Sequence, residues 1–131
     1  MIDTVLDASA LLALFFDEPG ADAVREHLDG QCAVSAVNWA EVLTRLHARG
    51  IDPTMAVDRM KGVGLLDAIT LVPFDMDQAV LAARLWVDTR RLGLSLGDRA
   101  CLALAMRASA VALTADRAWT AVPGVRVRLC R

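Results

Sequence analysis

Five short apolar runs, separated by segments of helical character, constrain this chain more than any other feature. They are Thr4–Leu6, Cys32–Val34, Ile69–Val72, Val111–Leu113 and Val125–Leu129. Strands alternating this regularly with helices imply a parallel sheet covered on both faces, because parallel neighbours need a crossover between them. At 131 residues there is room for one domain and no second core. The 56% hydrophobic content suits a well-buried α/β core or a surface completed by a partner.

The connecting segments carry recognisable punctuation. The first strand ends at Asp7 and leads into a helix that stops before Pro19-Gly20. Residues 21–29 read as a polar helix ended by Gly30. Ser35 precedes a helix through Arg49, with Ala36, Trp39, Leu43 and Leu46 on one face and Gly50 as its stop. Pro53 opens a helix to about Leu66. Asp75 and Gln78 have capping-box spacing before a long helix to Leu92, and a further helix runs from about Leu96 to Arg107. Asp116 starts a short helix ending before Pro123-Gly124.

In an open α/β sheet, ligands bind beyond the carboxyl ends of the strands. Asp7 and Asp116 follow the first and fourth strands, Asp98 lies in the first turn of the helix before the fourth, and Glu41 lies in the helix after the second. Four carboxylates in one cleft would repel strongly, since two unit charges about 4 Å apart cost roughly 4 kcal/mol at an effective dielectric of 20. Such a cluster protonates in part or holds cations. Oxygen ligands are those that Mg²⁺ and Mn²⁺ prefer, and two such ions could support in-line phosphodiester hydrolysis without a protein nucleophile. Each acid also has a purely structural reading. Asp7 and Asp116 are plausible N-caps, Ser95 to Asp98 outlines a capping box, and Glu41 stands four residues before Arg45. On a helical wheel Glu41 lies opposite the Trp39/Leu43/Leu46 stripe, so periodicity alone does not single it out.

Other chemistries find little support. There is no P-loop, HExxH zinc site or GxSxG elbow. Cys32, Cys101 and Cys130 form no ligand pattern and read as reduced thiols, two of them core filler, in a cytoplasmic protein. His27 and His47 lack ligand spacing, and the sole lysine, Lys61, falls mid-helix, away from where a phosphoacceptor module needs one. No apolar stretch reaches the roughly 18 residues of a membrane span, and Met1-Ile2-Asp3-Thr4 lacks a secretory n-region. Trp39, Trp86 and Trp119 are expected in the core. A net charge of −2 argues weakly against nucleic-acid binding, yet nearly all the positive charge is arginine, which favours bidentate phosphate contact.

The segments Leu6 to Gly20 (LDASALLALFFDEPG), Ser35 to Leu46 (SAVNWAEVLTRL), Leu94 to Ala105 (LSLGDRACLALA) and Leu113 to Trp119 (LTADRAW) together resemble PIN-domain proteins, and among them VapC-type toxins of toxin–antitoxin pairs. The resemblance runs from the first strand to the last. It implies a single PIN-like nuclease domain over 1–131, with a three-layer α/β/α architecture and a parallel sheet of about five strands. By position it carries the family's acids to Asp7, Glu41, Asp98 and Asp116, as catalytic residues and ligands of Mg²⁺ or Mn²⁺. Ser9, Asn38 and Thr114 match polar positions that orient those ligands. The implied activity is a metal-dependent endoribonuclease, restrained by a VapB-type antitoxin and assembled as a homodimer. Arg45, Arg49, Arg99 and Arg117 are candidate RNA phosphate contacts. Leu11, Leu12, Phe15 and Phe16, with the helix after Pro53, could form a groove for an antitoxin helix. The alternatives are a PIN-domain nuclease of RNA processing or DNA cleavage without a toxin role, and a non-catalytic binding module that kept the fold.

Overall fold

A computed structural model describes residues 1–28 and 31–131 of the chain. The strands are β1 (Thr4–Leu6), β2 (Cys32–Ser35), β3 (Ile69–Val72), β4 (Val111–Thr114) and β5 (Arg126–Leu129). The helices are α1 (Ala8–Phe15), α2 (Ala21–His27), α3 (Ala36–Ala48), α4 (Pro53–Gly62), α5 (Leu65–Ala68), α6 (Met76–Arg84), α7 (Trp86–Thr89) and α8 (Leu96–Ala108). Two 3₁₀ turns cover Arg90–Leu92 and Arg117–Ala121. The expected stop of the second helix at Gly30 lies outside the described residues.

All four strand pairings are parallel, and the sheet order is β3-β2-β1-β4-β5. Successive side chains along a strand point to opposite faces, and here the two sets feed two cores. Leu6, Cys32, Val34 and Leu113 pack with residues of α1 to α5, including Leu11, Val24, Val42 and Met60. Val5, Ala33 and Ala112 pack with α6, α8 and the second 3₁₀ turn, through Ala82, Leu102 and Trp119. The result is the three-layer α/β/α sandwich, with every strand running toward the same edge. No helix among the described residues is long and apolar enough to cross a membrane.

Two expected helices are broken. The helix from Pro53 ends at Gly62, because Val63 caps it and Gly64 adopts a left-handed φ of +79° before the short α5. Only a residue without a β-carbon enters that region at little cost. The long helix to Leu92 becomes α6, α7 and a 3₁₀ turn, with the Thr89 hydroxyl donating to the Leu85 carbonyl where the ladder changes (2.7 Å). The Asp75/Gln78 capping box is half made. Asp75 Oδ1 accepts from the Gln78 amide (2.9 Å), but the Gln78 side chain turns to the Pro73 carbonyl (3.1 Å).

The core assignments need two corrections. Ala36 is exposed, and the buried face of α3 is Asn38, Trp39, Val42 and Leu46. Trp39 and Trp119 are buried, but Trp86 is 49% exposed, with the Arg90 guanidinium 5.0 Å from its ring centre. All three cysteines are buried free thiols.

Candidate active site

The chain leaves β1 for β2 and β3 on one side, then returns to β4 on the other. The β1/β4 boundary is therefore the topological switch point, where a crevice opens beyond the strand ends. Asp7 follows β1 at this boundary, and its amide donates to the Leu113 carbonyl of β4 (3.2 Å). Helices of such a fold run antiparallel to the strands, which brings the N-termini of α1, α3 and α8 to the same edge.

Asp7 is the N-cap of α1 and only 4% exposed. Its Oδ1 accepts from the Ala10 amide (2.8 Å) and the Ser9 hydroxyl (2.7 Å), and its Oδ2 from the Thr114 hydroxyl (2.6 Å). Ser9 Oγ in turn accepts from the Ala115 amide, and Thr114 Oγ1 from the Asp116 amide, both at 3.0 Å. Two hydroxyls thus clasp the end of β1 to the end of β4, each with its single proton directed to Asp7. Burial pushes the Asp7 carboxyl above its ordinary range, against these hydrogen bonds, and the negative charge of Asp98 adds to the rise.

Glu41 stands half-buried on α3, one turn on from the buried Asn38. The Asn38 amide nitrogen donates both to Glu41 Oε1 (3.1 Å) and to the Gly97 carbonyl in the first turn of α8 (2.9 Å). Its Oδ1 is buried without a partner among the described residues. A β-carbon at Gly97 would overlap the Glu41 carboxylate, so glycine there lets α8 approach α3. Burial raises the Glu41 carboxyl, and the charges of Asp98 and Asp7 raise it further, while Asn38 and Arg45 oppose the shift.

The remaining two acids perform their capping roles in the same place. Asp98 Oδ2 accepts from the Ser95 amide (2.9 Å) and Ser95 Oγ from the Asp98 amide (3.1 Å), a complete capping box. Asp116 Oδ1 accepts from the Ala118 amide (2.9 Å) at the start of its 3₁₀ turn. Capping occupies one oxygen of each, and the other makes no hydrogen bond to the described residues. The structural and functional readings of these acids are therefore compatible.

All four carboxylates line one cleft of about 400 Å³, with Ser9 and Arg45. The donor set is all oxygen, and two of its members, Asp7 and Glu41, are raised by burial first and by neighbouring carboxylate charge in addition, which fits a site for a hard divalent cation. The carboxylates surround an open cleft rather than forming a closed cage. Among the described residues, no group of three or more His, Cys, Asp or Glu side chains is gathered tightly enough to hold a metal ion as it stands.

Of the other arginines, Arg49 lies over the Phe16 ring at 3.9 Å, and Arg99 donates to the Ala82 carbonyl of α6 (2.9 Å). Arg117 is exposed on the 3₁₀ turn, and none of these three lines the cleft. Two cleft residues escaped the sequence reading, Glu18 and Arg131. Glu18 sits in the irregular turn after α1, where periodicity says nothing. Arg131 follows β5 at the carboxyl edge, a position the switch-point rule could have flagged.

Phe15, Phe16, Leu46, Met55 and Met60 line a second, mostly apolar groove of about 530 Å³ beside α4. Leu11 is buried, and Leu12 lines the acidic cleft instead.

The family model for the PIN domain matches residues 4–125. No curated protein matches the sequence. Among solved structures, the chain is similar to a toxin–antitoxin complex from Klebsiella pneumoniae, at 22% identity and TM-score 0.74 over 98% of each chain. It is similar to VapC20 of Mycobacterium tuberculosis, a sarcin–ricin-loop-cleaving toxin, at 17% identity and TM-score 0.74 over 96% of this chain and 99% of that one. A DNA-bound VapBC from Salmonella typhimurium matches over the whole of both chains at 13% identity and TM-score 0.73. At these identities the likeness is one of fold.

Proposed function

The chain belongs to the PIN-domain family, and from that premise we propose that it is a metal-dependent endoribonuclease acting as the toxin of a toxin–antitoxin pair. The observation that carries the nuclease reading is the convergence of Asp7, Glu41, Asp98 and Asp116 on one cleft at the switch point. These four would hold Mg²⁺ or Mn²⁺, and residues 1–131 act as one nuclease domain. Bound there, the cation would supply Lewis-acid stabilisation and a water nucleophile for phosphodiester hydrolysis.

The chain's own residues prepare that chemistry. Ser9 and Thr114 fix the plane of Asp7, and Asn38 fixes Glu41 against the first turn of α8. Supporting hydrogen bonds of this kind orient ligands and are worth about 10–100-fold in metal affinity or activity. The capping bonds hold Asp98 and Asp116 without occupying both oxygens. Arg45, on the rim, offers the cationic contact an RNA phosphate would use.

The toxin role is supported by the fold shared with chains of toxin–antitoxin complexes and by the apolar groove beside α4, which suits the apolar face of a VapB-type antitoxin helix. The active unit is a cytoplasmic homodimer in this reading. Total cellular RNA, incubated with purified protein in Mg²⁺, in Mn²⁺ and in EDTA alongside Asp7→Asn, tests the activity. Discrete products that need metal and vanish in the variant are expected. Metal-independent cleavage, or products unchanged in Asp7→Asn, would overturn it.

A further inference from the structure

The acidic cleft has a charge problem that its four proposed ligands do not solve. Glu18 adds a fifth carboxylate to its lining, and among the described residues only Arg45 and Arg131 bring positive charge there. The two arginines arrive from opposite directions. Arg45 belongs to α3, which follows β2 on one side of β1, and Arg131 follows β5, beyond β4 on the other side.

Arg131 is held in place by its surroundings. The Cys130 amide donates to the Thr114 carbonyl (2.9 Å), tying the segment after β5 to the strand that ends in Asp116. From the opposite side Gly20 packs on Cys130 so closely that a β-carbon there would stand 2.9 Å from the Cys130 carbonyl oxygen. Arg131 Nη1 then donates to the Pro19 carbonyl (3.1 Å) and lies 3.6 Å from Glu18 Oε2. A guanidinium carries five N–H donors. Those not used on Pro19 make no hydrogen bond to the described residues, and the side chain is 41% exposed.

We infer that Arg131 is a second phosphate contact of the cleft, opposite Arg45, gripping the RNA backbone on the β4/β5 side of the acids. The inference rests on the ribonuclease reading of the same cleft. A strand laid across the acids would meet one guanidinium on each flank, which fixes its path and opposes the carboxylates' repulsion of a polyanion. Pro19 and Glu18 hold the guanidinium in the lining of the cleft, so part of its ordering entropy is already lost before RNA binds.

The test compares the parent protein with Arg131→Ala and Arg131→Lys in Mn²⁺, using a short fluorescein-labelled single-stranded RNA of mixed sequence for affinity across a salt series. KM and kcat are measured on an RNA that the parent cleaves. Arg131→Ala should weaken binding and raise KM about three- to tenfold, keep kcat within about twofold, and make the log–log salt slope shallower by about 0.7. Arg131→Lys, which keeps the charge, should retain the parent slope. Parent-like affinity and slope in Arg131→Ala, or a loss confined to kcat, would overturn the assignment while leaving the nuclease standing. A parent that neither binds nor cleaves RNA would overturn both.

Discussion

The Glu41 carboxylate occupies the space that a β-carbon of residue 97 would need, so the absence of a side chain at Gly97 and the position of Glu41 are one structural fact. Gly97→Ala is therefore expected to separate stability from activity. The displaced group is the far end of a flexible side chain, and alanine is the better helix former, so stability should stay within about 1 kcal/mol of the parent by urea denaturation. Moving Glu41 by roughly an ångström should cost RNA cleavage on the order of a hundredfold. A fully active Gly97→Ala would detach Glu41 from the chemistry.

Asp7 makes a different prediction, through pH. Its carboxyl is raised by burial above the ordinary value of 3.8. As pH climbs past 3.8 the unfolded chain ionises while the folded one stays protonated, so stability falls until the raised folded value is passed. In EDTA, acidifying from neutral pH toward about 4 should then raise the Tm, with Glu41 contributing in the same direction. Asp75 has the opposite sign. The Gln78 amide and then Arg107 hold it below its usual value, so its contribution is lost only under more acidic conditions. Asp7→Asn should melt higher than the parent at neutral pH without metal, and that advantage should shrink on acidification. Scanning calorimetry of both proteins across pH reads the crossing directly. A parent that melts lower as pH falls toward 4, with no gain from Asp7→Asn, would contradict the buried-carboxylate account.

Divalent cation should reverse that order. A ligand present at a hundredfold its Kd stabilises the folded state by about 2.7 kcal/mol. The parent should gain this in Mn²⁺, and Asp98→Asn much less of it. Asparagine at 98 keeps an oxygen to accept from the Ser95 amide, so the capping box survives and the metal-free fold is unchanged. Cleavage should fall by at least the roughly 10–100-fold that outer partners of metal ligands command. An Asp98→Asn protein with parental Mn²⁺ stabilisation and activity removes Asp98 from the site.

Why these residues were partly legible from sequence has a physical basis. Strands announced themselves because they are short, apolar and bounded by Gly, Pro and capping residues, and a parallel sheet sends every strand end to one edge. Asp7 and Asp116 could be placed by that rule alone. Glu41 could not, because the buried face of α3 only partly coincides with its apolar stripe, sharing Trp39 and Leu46 with it. Ala36 is exposed and the polar Asn38 is buried, which rotates the helix and brings Glu41 to the α8 side. Helix breaks at Gly64 and around Leu85–Thr89 were hidden by the apolar residues that follow them, which continue a helical pattern across a changed backbone. Arg131 was open to the strand-end rule, since it follows β5 at the carboxyl edge, but Glu18 and its meeting with Arg131 depend on how an irregular turn packs on a strand end, a tertiary relationship that no local pattern encodes.

That relationship is itself testable at Gly20. Its φ of +102° lies where side chains are strained, and a β-carbon would press on the Cys130 carbonyl oxygen at 2.9 Å, a rigid backbone atom that cannot step aside cheaply. Gly20→Ala is therefore expected to destabilise the protein by about 2 kcal/mol or more in urea denaturation. Gly50 has a similar left-handed φ of +87°, but nothing within 4 Å of an added β-carbon. Gly50→Ala should then cost only the backbone strain, about 1 kcal/mol. The difference between the two isolates the contact between the turn after α1 and the segment after β5. If both substitutions cost the same, that contact carries no weight in holding Arg131 at the cleft.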